Sequence, residues 1–456
     1  MNFKNIHNVY FIGIGGIGMS AIARFFNSIG KNVAGYDKTP KPLTDELKNE
    51  GIDIHFEDDV DKIHANFKNK ENTLVVYTPA IPQNHTELRY FISNNFEIKK
   101  RSEVLGMLSN EKKCIAVAGT HGKTTITTMV SHFMKQSNVG CNAFMGGISK
   151  NYNTNFLVDN KSNYVVVEAD EFDRSFLQLA PDIALVSAVD ADHLDIYSDA
   201  NDLKNTFKEF IGKIKTGGKL ILKSDIKLAL PKKDNVDIFT YSLNGDSDFR
   251  AENIRIENGL YTFDFIAVKG RINNIKLGLP GLLNVENAIA AMALASLAGV
   301  DNNEIFKAAP QFIGIQRRFD CHIKRADFIY IDDYAHHPEE LKAAISSVKE
   351  LFNDKKITGI FQPHLYTRTR DFANEFAESL ELLDELILLD IYPAREKPIE
   401  GVTSKIIFDK IKNTNKTICL KSELINILKS KKPQVLMTLG AGDIDEFVEP
   451  IKNIFK

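Results

Sequence analysis

The strongest chemical feature of the sequence is the segment AGTHGKTT at residues 118–125, which lies between a strand-like apolar run and a helical pattern. In such a loop the backbone N–H groups converge on phosphate oxygens, and the start of the next helix adds partial positive charge. We expect Lys123 to reach the terminal phosphates of ATP and the Thr124 hydroxyl to bind Mg²⁺. Val117 replaces the first glycine of the full Walker pattern, so this is a shortened P-loop. Its predicted ATP-binding residues are Gly119, Thr120, His121, Gly122, Lys123, Thr124 and Thr125.

Two acidic segments follow predicted strands beyond the P-loop, EADEFD at 168–173 and DADHLDIY at 190–197. Carboxylates that leave a strand beside a P-loop are natural partners of Mg²⁺, which predicts Glu168 as a metal ligand together with Thr124. A single histidine at a strand end is often only a hydrogen-bonded structural residue. Beside a phosphate site and an acidic loop, His193 becomes a candidate ligand of a second divalent ion.

A second glycine-rich loop, IGIGGIGMS at 12–20, fits the pattern G-x-G-x-x-G that binds diphosphates. Asp37 follows Gly18 by about 20 residues, as does the ribose-binding acid of dinucleotide-binding folds. The pattern by itself fits the diphosphate of a coenzyme or of another nucleotide. Its predicted binding residues are Gly13, Gly15, Gly16, Ile17, Gly18 and Asp37.

The elements that must position these loops alternate between short β-branched runs and helical patterns, which predicts an α/β fold throughout. New strand–loop–helix series begin near residues 9, 114 and 328, which indicates three domains at 1–108, 109–320 and 321–456. Residues 237–280 resemble an antiparallel annex of short strands, and an alanine-rich helix is predicted over 284–298. The other predicted strands are 9–14, 32–37, 52–56, 73–78, 96–100, 114–119, 164–169, 182–188, 218–224, 328–333, 356–364, 385–392 and 434–443.

The composition excludes several classes of protein. The 456 residues include 57 basic and 60 acidic side chains, and a formal net charge of −3 does not indicate a nucleic-acid-binding protein. The four cysteines are far apart, so neither a zinc site nor a disulfide framework is expected. No apolar run reaches the length of a membrane span, and a cytoplasmic location is expected. The sequence is compatible with a homodimer.

The motifs together, in this order, resemble the Mur ligases, the ATP-dependent amide-bond-forming enzymes of peptidoglycan synthesis. The resemblance is closest to the members that add L-alanine to UDP-N-acetylmuramate, and it spans nearly the whole chain. The segments that carry it are GIGGIGMS (13–20), AGTHGKTT (118–125), EADE (168–171), DHLDIY (192–197), NVENAIAA (284–291), RRFD (317–320), DDYAHHP (332–338), FQPH (361–364), YTRTRD (366–371) and GAGDI (440–444).

The resemblance implies a three-domain architecture with a Rossmann-like N-terminal domain, a central P-loop ATPase domain and a Rossmann-like C-terminal domain. The first domain would hold UDP-N-acetylmuramate, the second ATP and Mg²⁺, and the third L-alanine. The lactyl carboxylate would take the γ-phosphoryl group of ATP, and the amine would then attack the acyl phosphate.

The resemblance also assigns roles to residues outside the two glycine loops. Asn284 and Asn287 match asparagines that contact the nucleotide, and Asp333 matches a residue near its ribose. Arg318, with Arg317, would reach the phosphates, although a surface cation pair is the plain alternative. The residues predicted to face the incoming alanine are Tyr334, His336 and Arg368. The predicted catalytic residues are Lys123, Glu168, His193 and Arg318.

Four positions depart from the pattern of the family. Leu283 and Leu365 stand where a histidine and an arginine are usual, and Phe172 and Pro79 replace serines. Contacts to adenine, to the amine and to the sugar are therefore expected to differ there.

Three other functions are weaker alternatives. A ligase that recycles whole peptides onto UDP-N-acetylmuramate usually has a different first glycine loop. A nicotinamide-dependent dehydrogenase would use that loop but would leave AGTHGKTT and DDYAHHP unexplained. An ATP-gated switch protein would have no need for the acidic and histidine loops.

Overall fold

A computed structural model describes residues 5–190, 197–230, 235–257, 259–394 and 396–456. The chain divides into two compact units. The first comprises Met1–Ile254, Phe263–Lys276 and Glu286–Phe312, and the second comprises Arg255–Thr262, Leu277–Val285 and Ile313–Lys456.

The N-terminal sheet is parallel, with strand order β3-β2-β1-β4-β5. The strand order reverses at β1. Such sheets bind ligands in the crevice outside the carboxyl ends of the strands at the reversal, which here are β1 and β4. The strands are β1 Asn8–Ile12, β2 Asn32–Tyr36, β3 Asp53–His55, β4 Thr73–Tyr77 and β5 Glu97–Lys100. The helices are α1 Ile17–Ser28, α2 Pro42–Asn49, α3 Thr86–Ser93 and α4 Arg101–Asn110.

The second sheet has ten strands, in the order β15-β14-β13-β12-β11-β10-β6-β9-β7-β8. Its strands are β6 Lys113–Ala118, β7 Asn142–Ser149, β8 Thr154–Leu157, β9 Tyr164–Glu168, β10 Ile183–Val186, β11 Lys219–Lys223, β12 Asp237–Ser242, β13 Phe249–Glu257, β14 Leu260–Ala267 and β15 Gly270–Lys276. The helices that follow in this part of the chain are α5 Lys123–Lys135, α6 Ala200–Gly212, α7 Leu282–Ala298 and α8 Asn302–Ala308.

Two features of this sheet differ from the sequence prediction. The annex is not antiparallel throughout, because β12 pairs in parallel with both β11 and β13 and so continues the central sheet. The antiparallel pair β7–β8 was not predicted. Its first strand carries two adjacent glycines, which weaken the β pattern.

The third sheet has strand order β16-β17-β21-β18-β19-β20, and β16 alone of its paired strands runs antiparallel to its neighbour. Its strands are β16 Asp320–Lys324, β17 Ile329–Asp333, β18 Ile357–Phe361, β19 Glu385–Leu388, β20 Lys416–Ile418 and β21 Val435–Leu439. Its helices are α9 Pro338–Leu351, α10 Tyr366–Asp371, α11 Ala373–Leu380, α12 Lys405–Phe408, α13 Lys421–Ser430 and α14 Val448–Ile454.

Apolar packing fixes the strands that precede the functional loops. The central strands β1, β6 and β17 are buried along their whole length or nearly so, as expected for parallel strands covered on both faces. Helix α7 buries every residue from Ala288 to Ala295, and its small side chains suit a helix that is enclosed on all sides.

Candidate active site

The P-loop connects the central strand β6 to helix α5 through two glycines in left-handed backbone. Gly119 has φ +131° and Gly122, the residue before the helix, has φ +80°. A Cβ atom on Gly119 would lie 2.2 Å from Ser187 Oγ, so only glycine fits. No side chain caps α5, which leaves its first N–H groups directed at the loop, as phosphate binding requires.

Lys123, the first residue of α5, lies among carboxylates. Its Nζ is 2.7 Å from Oε1 of Glu171, whose side chain is fully buried. Burial by itself would lower the pKa of Lys123, but the charges of Glu171, Asp170 and Glu168 outweigh it and raise that pKa above its ordinary value. The ammonium is therefore charged at neutral pH.

Thr124 and Glu168 form a second pair at the same place. The Thr124 hydroxyl donates to Oε1 of Glu168 at 3.1 Å, and the N–H of Gly146 donates to the other oxygen at 3.1 Å. A hydroxyl and a carboxylate are oxygen ligands, which Mg²⁺ prefers, and this ion commonly takes one or two protein ligands beside phosphates and water. The donor set therefore fits Mg²⁺. Within the described ranges, no group of three or more His, Cys, Asp and Glu could hold a metal.

The two predicted nucleotide asparagines lie near the start of α7. A Cβ atom on Gly122 would lie 2.9 Å from Asn287 Oδ1, so this side chain reaches the P-loop. The Asn284 amide donates to the Pro280 carbonyl at 2.6 Å and supports the turn that begins the helix.

The first glycine loop joins β1 to α1. Gly13 has φ +90°, and Gly16 precedes α1 without a side-chain cap. The N–H of Gly15 donates to Asp37 Oδ2 at 2.7 Å, and the N–H of Thr39 donates to Oδ1 at 3.2 Å. Asp37, predicted as a ligand-binding residue, thus fastens the loop in this structure.

Arg317 and Arg318 have different surroundings in the second unit. Arg317 has φ +63°, and its guanidinium donates to the Gly440 carbonyl at 2.7 Å and pairs with Asp445 at 3.1 Å. Both guanidinium groups lie over the Tyr334 ring, at 5.1 Å for Arg317 and 4.9 Å for Arg318, but the ion-pair partner of Arg318 is Glu340 at 3.8 Å. Arg317 is therefore an anchor within the domain, and Arg318 is the better candidate for a phosphate ligand.

Asp333 holds two backbone segments together. Its oxygens accept the N–H groups of Phe319 at 2.7 Å and Ala335 at 2.8 Å. Burial raises the pKa of Asp333, although Arg318 opposes the shift. The contact fixes the segment RRFD against the segment DDYAHHP.

The adjacent histidines of DDYAHHP point in different directions. The His336 ring lies 5.9 Å from that of His364, and its Nδ1 is 3.1 Å from Glu340 Oε2. The buried His337 ring packs on Phe372 at 5.0 Å. The Tyr334 and His336 rings are 5.2 Å apart, so the structure brings two of the three predicted alanine-binding residues together. The third, Arg368, is buried in α10.

Comparison with known proteins gives full-length matches. The chain is 52% identical over 454 residues to the UDP-N-acetylmuramate--L-alanine ligase of Parabacteroides distasonis, covering all of this chain and 98% of the relative. It is 51% identical over 453 residues to the ligase of the same name from Flavobacterium psychrophilum, covering 99% of each protein. The chain belongs to the Mur ligase family.

Three family models match this Mur ligase in succession. The model described as the Mur ligase family catalytic domain matches residues 8–113, the Mur ligase middle domain matches 117–295, and the Mur ligase glutamate ligase domain matches 317–442. The three-domain α/β architecture that was predicted is confirmed, while the boundaries at 108 and 320 stay predictions.

Solved structures agree with the fold. The crystal structure of the UDP-N-acetylmuramate-alanine ligase of Thermotoga maritima has a TM-score of 0.82 and 27% identity, covering 98% of this chain and 99% of that one. A murein peptide ligase of Psychrobacter arcticus has a TM-score of 0.71 at 20% identity, a likeness of fold alone. The recycling ligase and the dehydrogenase are therefore not favoured.

Arg101 is a residue of this Mur ligase that the sequence analysis missed. A Cβ atom on Gly18 would lie 2.9 Å from Arg101 Nη1, and Arg101 Nη2 is 3.8 Å from Asp170. Arg101 thus lies between the first glycine loop and the acidic segment after β9, and it lines a cavity with Glu168. Its only sequence signal is the basic run KKR at 99–101.

Two further points concern His193 and membrane-spanning helices. His193 falls in 191–196, outside the described residues, so its predicted role stays a prediction. Among the described helices, none has the length and apolar character needed to cross a membrane.

Proposed function

We propose that this Mur ligase joins L-alanine to the lactyl carboxylate of UDP-N-acetylmuramate and converts ATP to ADP and phosphate. The observation that carries the proposal is the full-length 52% identity to a UDP-N-acetylmuramate--L-alanine ligase. The geometry of the P-loop supports it, because Lys123, Thr124 and Glu168 meet at the start of α5.

The reaction follows from the weakness of a carboxylate as an electrophile. The carboxylate oxygen attacks the γ-phosphorus of ATP, ADP leaves, and an acyl phosphate forms. The alanine amine then attacks the acyl carbon, the C–O bond to phosphate breaks, and the amide and inorganic phosphate are released. The first step brings two anions together, so it requires positive charge at the phosphates.

The first unit supplies much of that charge. The N–H groups of the P-loop bind the phosphates of ATP, and the Lys123 ammonium moves from Glu171 toward the terminal phosphates. Thr124 and Glu168 would hold Mg²⁺, which supplies further neutralisation of phosphate charge when it is bound. We assign His193 to a second divalent ion.

The first glycine loop binds the diphosphate of UDP-N-acetylmuramate in this proposal. The uncapped start of α1 presents N–H groups to it, and Arg101 adds a cation beside Gly18. Asp37 keeps the loop in its binding conformation through Gly15.

The remaining assignments concern adenine and the amino acid. Asn284 and Asn287 contact the nucleotide, Arg318 contacts its phosphates, and Asp333 orders the segment that carries Arg318. Tyr334 and His336 line the alanine site, and the guanidinium group of Arg368 pairs with the alanine carboxylate. We place the protein in the cytoplasm, where ATP and nucleotide sugars are made.

An isotope experiment tests this chemistry. UDP-N-acetylmuramate labelled with ¹⁸O in its lactyl carboxylate should transfer one ¹⁸O atom to inorganic phosphate in each turnover, because the carboxylate oxygen leaves with the phosphoryl group. Mass spectrometry of the phosphate measures this. Product formation with unlabelled phosphate would exclude the acyl phosphate.

A further inference from the structure

The edge strand β8 carries a buried asparagine, Asn155, whose side-chain amide binds helix α1. Asn155 is 0% exposed. Its Nδ2 donates to the Ile17 carbonyl at 2.6 Å and to Ser20 Oγ at 2.9 Å. Its Oδ1 accepts from Arg24 Nη1 at 2.6 Å. One side chain from the ten-stranded sheet thus binds three groups of α1, and every polar atom of the amide has a partner.

These bonds are made at the end of α1 that carries the first glycine loop. Ile17 is the first residue of the helix, and Gly16 before it has no side-chain cap. The Ser20 hydroxyl also donates to the Ile17 carbonyl at 2.9 Å, so Asn155 and Ser20 share this acceptor. The bonds to Ile17 and Ser20 therefore fix the first turn of α1, both its rotation about the helix axis and its position along that axis. The N–H groups of this turn face the loop.

The rest of α1 is held by α2 and by the same edge of the sheet. The Arg24 guanidinium, which is 6% exposed, pairs with Glu46 of α2 at 3.0 Å and with Glu50, the residue after α2, at 2.6 Å. The Phe25 ring packs on Phe144 of β7 at 5.9 Å and on Phe156 of β8 at 6.1 Å. The apolar contacts hold the helix on the sheet without directing its first turn, which leaves that task to the directional bonds of Asn155.

We propose that Asn155 is a positioning residue for the UDP-sugar site. It belongs to the sheet that carries the P-loop, and through Ile17 it sets the place of the first glycine loop relative to that sheet. The distance between the carboxylate of the bound sugar nucleotide and the γ-phosphate of ATP then depends on this amide. This inference rests on the proposed function, because that function supplies the ligand of the first glycine loop.

The chain offers a matched control in Asn142 of the neighbouring strand β7. Asn142 is also buried, at 5% exposure, and its amide donates to the carbonyls of Asp159 at 3.1 Å and Tyr164 at 3.3 Å. These bonds stay within the central domain. Replacing either asparagine by alanine removes three hydrogen bonds of a buried side chain, so both variants are expected to lose thermal stability to a similar degree.

The experiment compares steady-state constants of the two variants of the full chain. Asn155→Ala should raise the KM for UDP-N-acetylmuramate about tenfold, the loss expected for one or two net hydrogen bonds, and leave the KM for ATP within about twofold. Asn142→Ala should leave both constants within about twofold. Calorimetric titration with UDP-N-acetylmuramate should show the same loss of affinity for Asn155→Ala alone.

Several results would overturn the proposal. Equal effects of the two variants on the KM for UDP-N-acetylmuramate, or an equal rise of both constants in Asn155→Ala, would mean that Asn155 is merely structural. If Asn155→Ala does not fold, Ser20→Ala removes one of the same bonds, and an unchanged KM for the sugar nucleotide would contradict the inference. If the wild-type protein does not bind UDP-N-acetylmuramate, the proposed function itself fails and the inference falls with it.

Discussion

The Lys123 ammonium is held by a buried carboxylate. It lies 2.7 Å from the buried Glu171, whose backbone carbonyl accepts the Tyr197 hydroxyl at 2.6 Å. A buried charge that loses its partner is costly, so the ammonium moves only toward an equally strong anion. The triphosphate of ATP is such an anion.

Replacement of this lysine should stop the chemistry. Lys123→Ala is expected to lower kcat for amide formation by about a thousandfold, because a preorganised cation at the transferred phosphoryl group is lost. A coupled assay of ADP formation measures this. Lys135→Ala, at the exposed opposite end of α5, is the control and should have wild-type activity. Substantial ligation by Lys123→Ala would refute the role given to this residue.

At the scale of elements, the turn between β6 and α5 depends on close contact as well as on backbone angles. Gly122 and Gly217 have nearly the same φ, +80° and +78°, but their surroundings differ. A Cβ atom on Gly122 would meet Asn287 Oδ1 at 2.9 Å, whereas no atom lies within 4 Å of one on Gly217. A comparison of alanine variants at the two glycines therefore separates the effect of backbone strain, which both positions share, from the effect of steric conflict, which only Gly122 has.

Alanine at these two glycines should have different consequences. Both substitutions strain a left-handed residue and should cost stability to a similar extent, about 1 kcal/mol. Gly122→Ala should in addition raise the KM for ATP at least tenfold, since Asn287 must move away from the loop. Steady-state kinetics and urea unfolding measure the two effects. A Gly122→Ala enzyme whose KM for ATP equals that of Gly217→Ala would contradict this view of the loop.

A network of titratable groups joins three elements of the N-terminal domain. The Tyr10 hydroxyl of β1 lies 2.8 Å from His55 Nε2 of β3 and 2.7 Å from Glu87 Oε2 of α3. His55 Nδ1 contacts the Glu57 carbonyl at 2.9 Å and therefore carries a proton, so Nε2 of the neutral ring is an acceptor. The Tyr10 hydroxyl donates to Glu87 Oε2, and the other oxygen of Glu87, Oε1, lies 3.4 Å from His55 Nε2.

This network predicts a pH dependence of stability. Burial raises the pKa of Glu87 from 4.5 to about 7, so the folded chain holds a proton there that the unfolded chain has released. The stability due to protonated Glu87 is complete below pH 4.5 and is lost as the pH rises through about 7, a change of about 3 kcal/mol. Glu87→Gln keeps the shape of the side chain but removes its titratable carboxyl group.

Urea unfolding of the wild type and of Glu87→Gln between pH 5 and 8 measures this contribution. The wild type should lose stability relative to Glu87→Gln as the pH rises. Glu57→Gln, at a carboxylate with 71% exposure, is the control and should follow the wild type. A constant difference between wild type and Glu87→Gln over this range would contradict the assignment.

At the scale of the whole molecule, the sequence predicted the order and type of the main elements because parallel strands are continuous apolar runs. Strands such as 32–37 and 164–169 were predicted within one residue of Asn32–Tyr36 and Tyr164–Glu168. The short edge strand Lys416–Ile418 was not predicted, although the equally short edge strand Asp53–His55 was predicted at 52–56. The order of the motifs along the chain was sufficient to indicate the family.

Partnerships between distant side chains could not be predicted from the sequence. Asp37 carries the spacing of a ribose-binding acid but binds the N–H of Gly15, and Asn155 binds Arg24 although 131 positions separate them. Such contacts depend on how sheets and helices pack, which local patterns do not encode. The residues that support the candidate site were therefore found only in the structure.

The central claim is that one reaction couples ATP to two further substrates. The most direct measurement is the release of phosphate from ATP with UDP-N-acetylmuramate and L-alanine, each omitted in turn. The account predicts sustained release only when both are present, with one UDP-N-acetylmuramoyl-L-alanine formed for each phosphate. Sustained release that continues without either substrate, or that produces no amide, would contradict it.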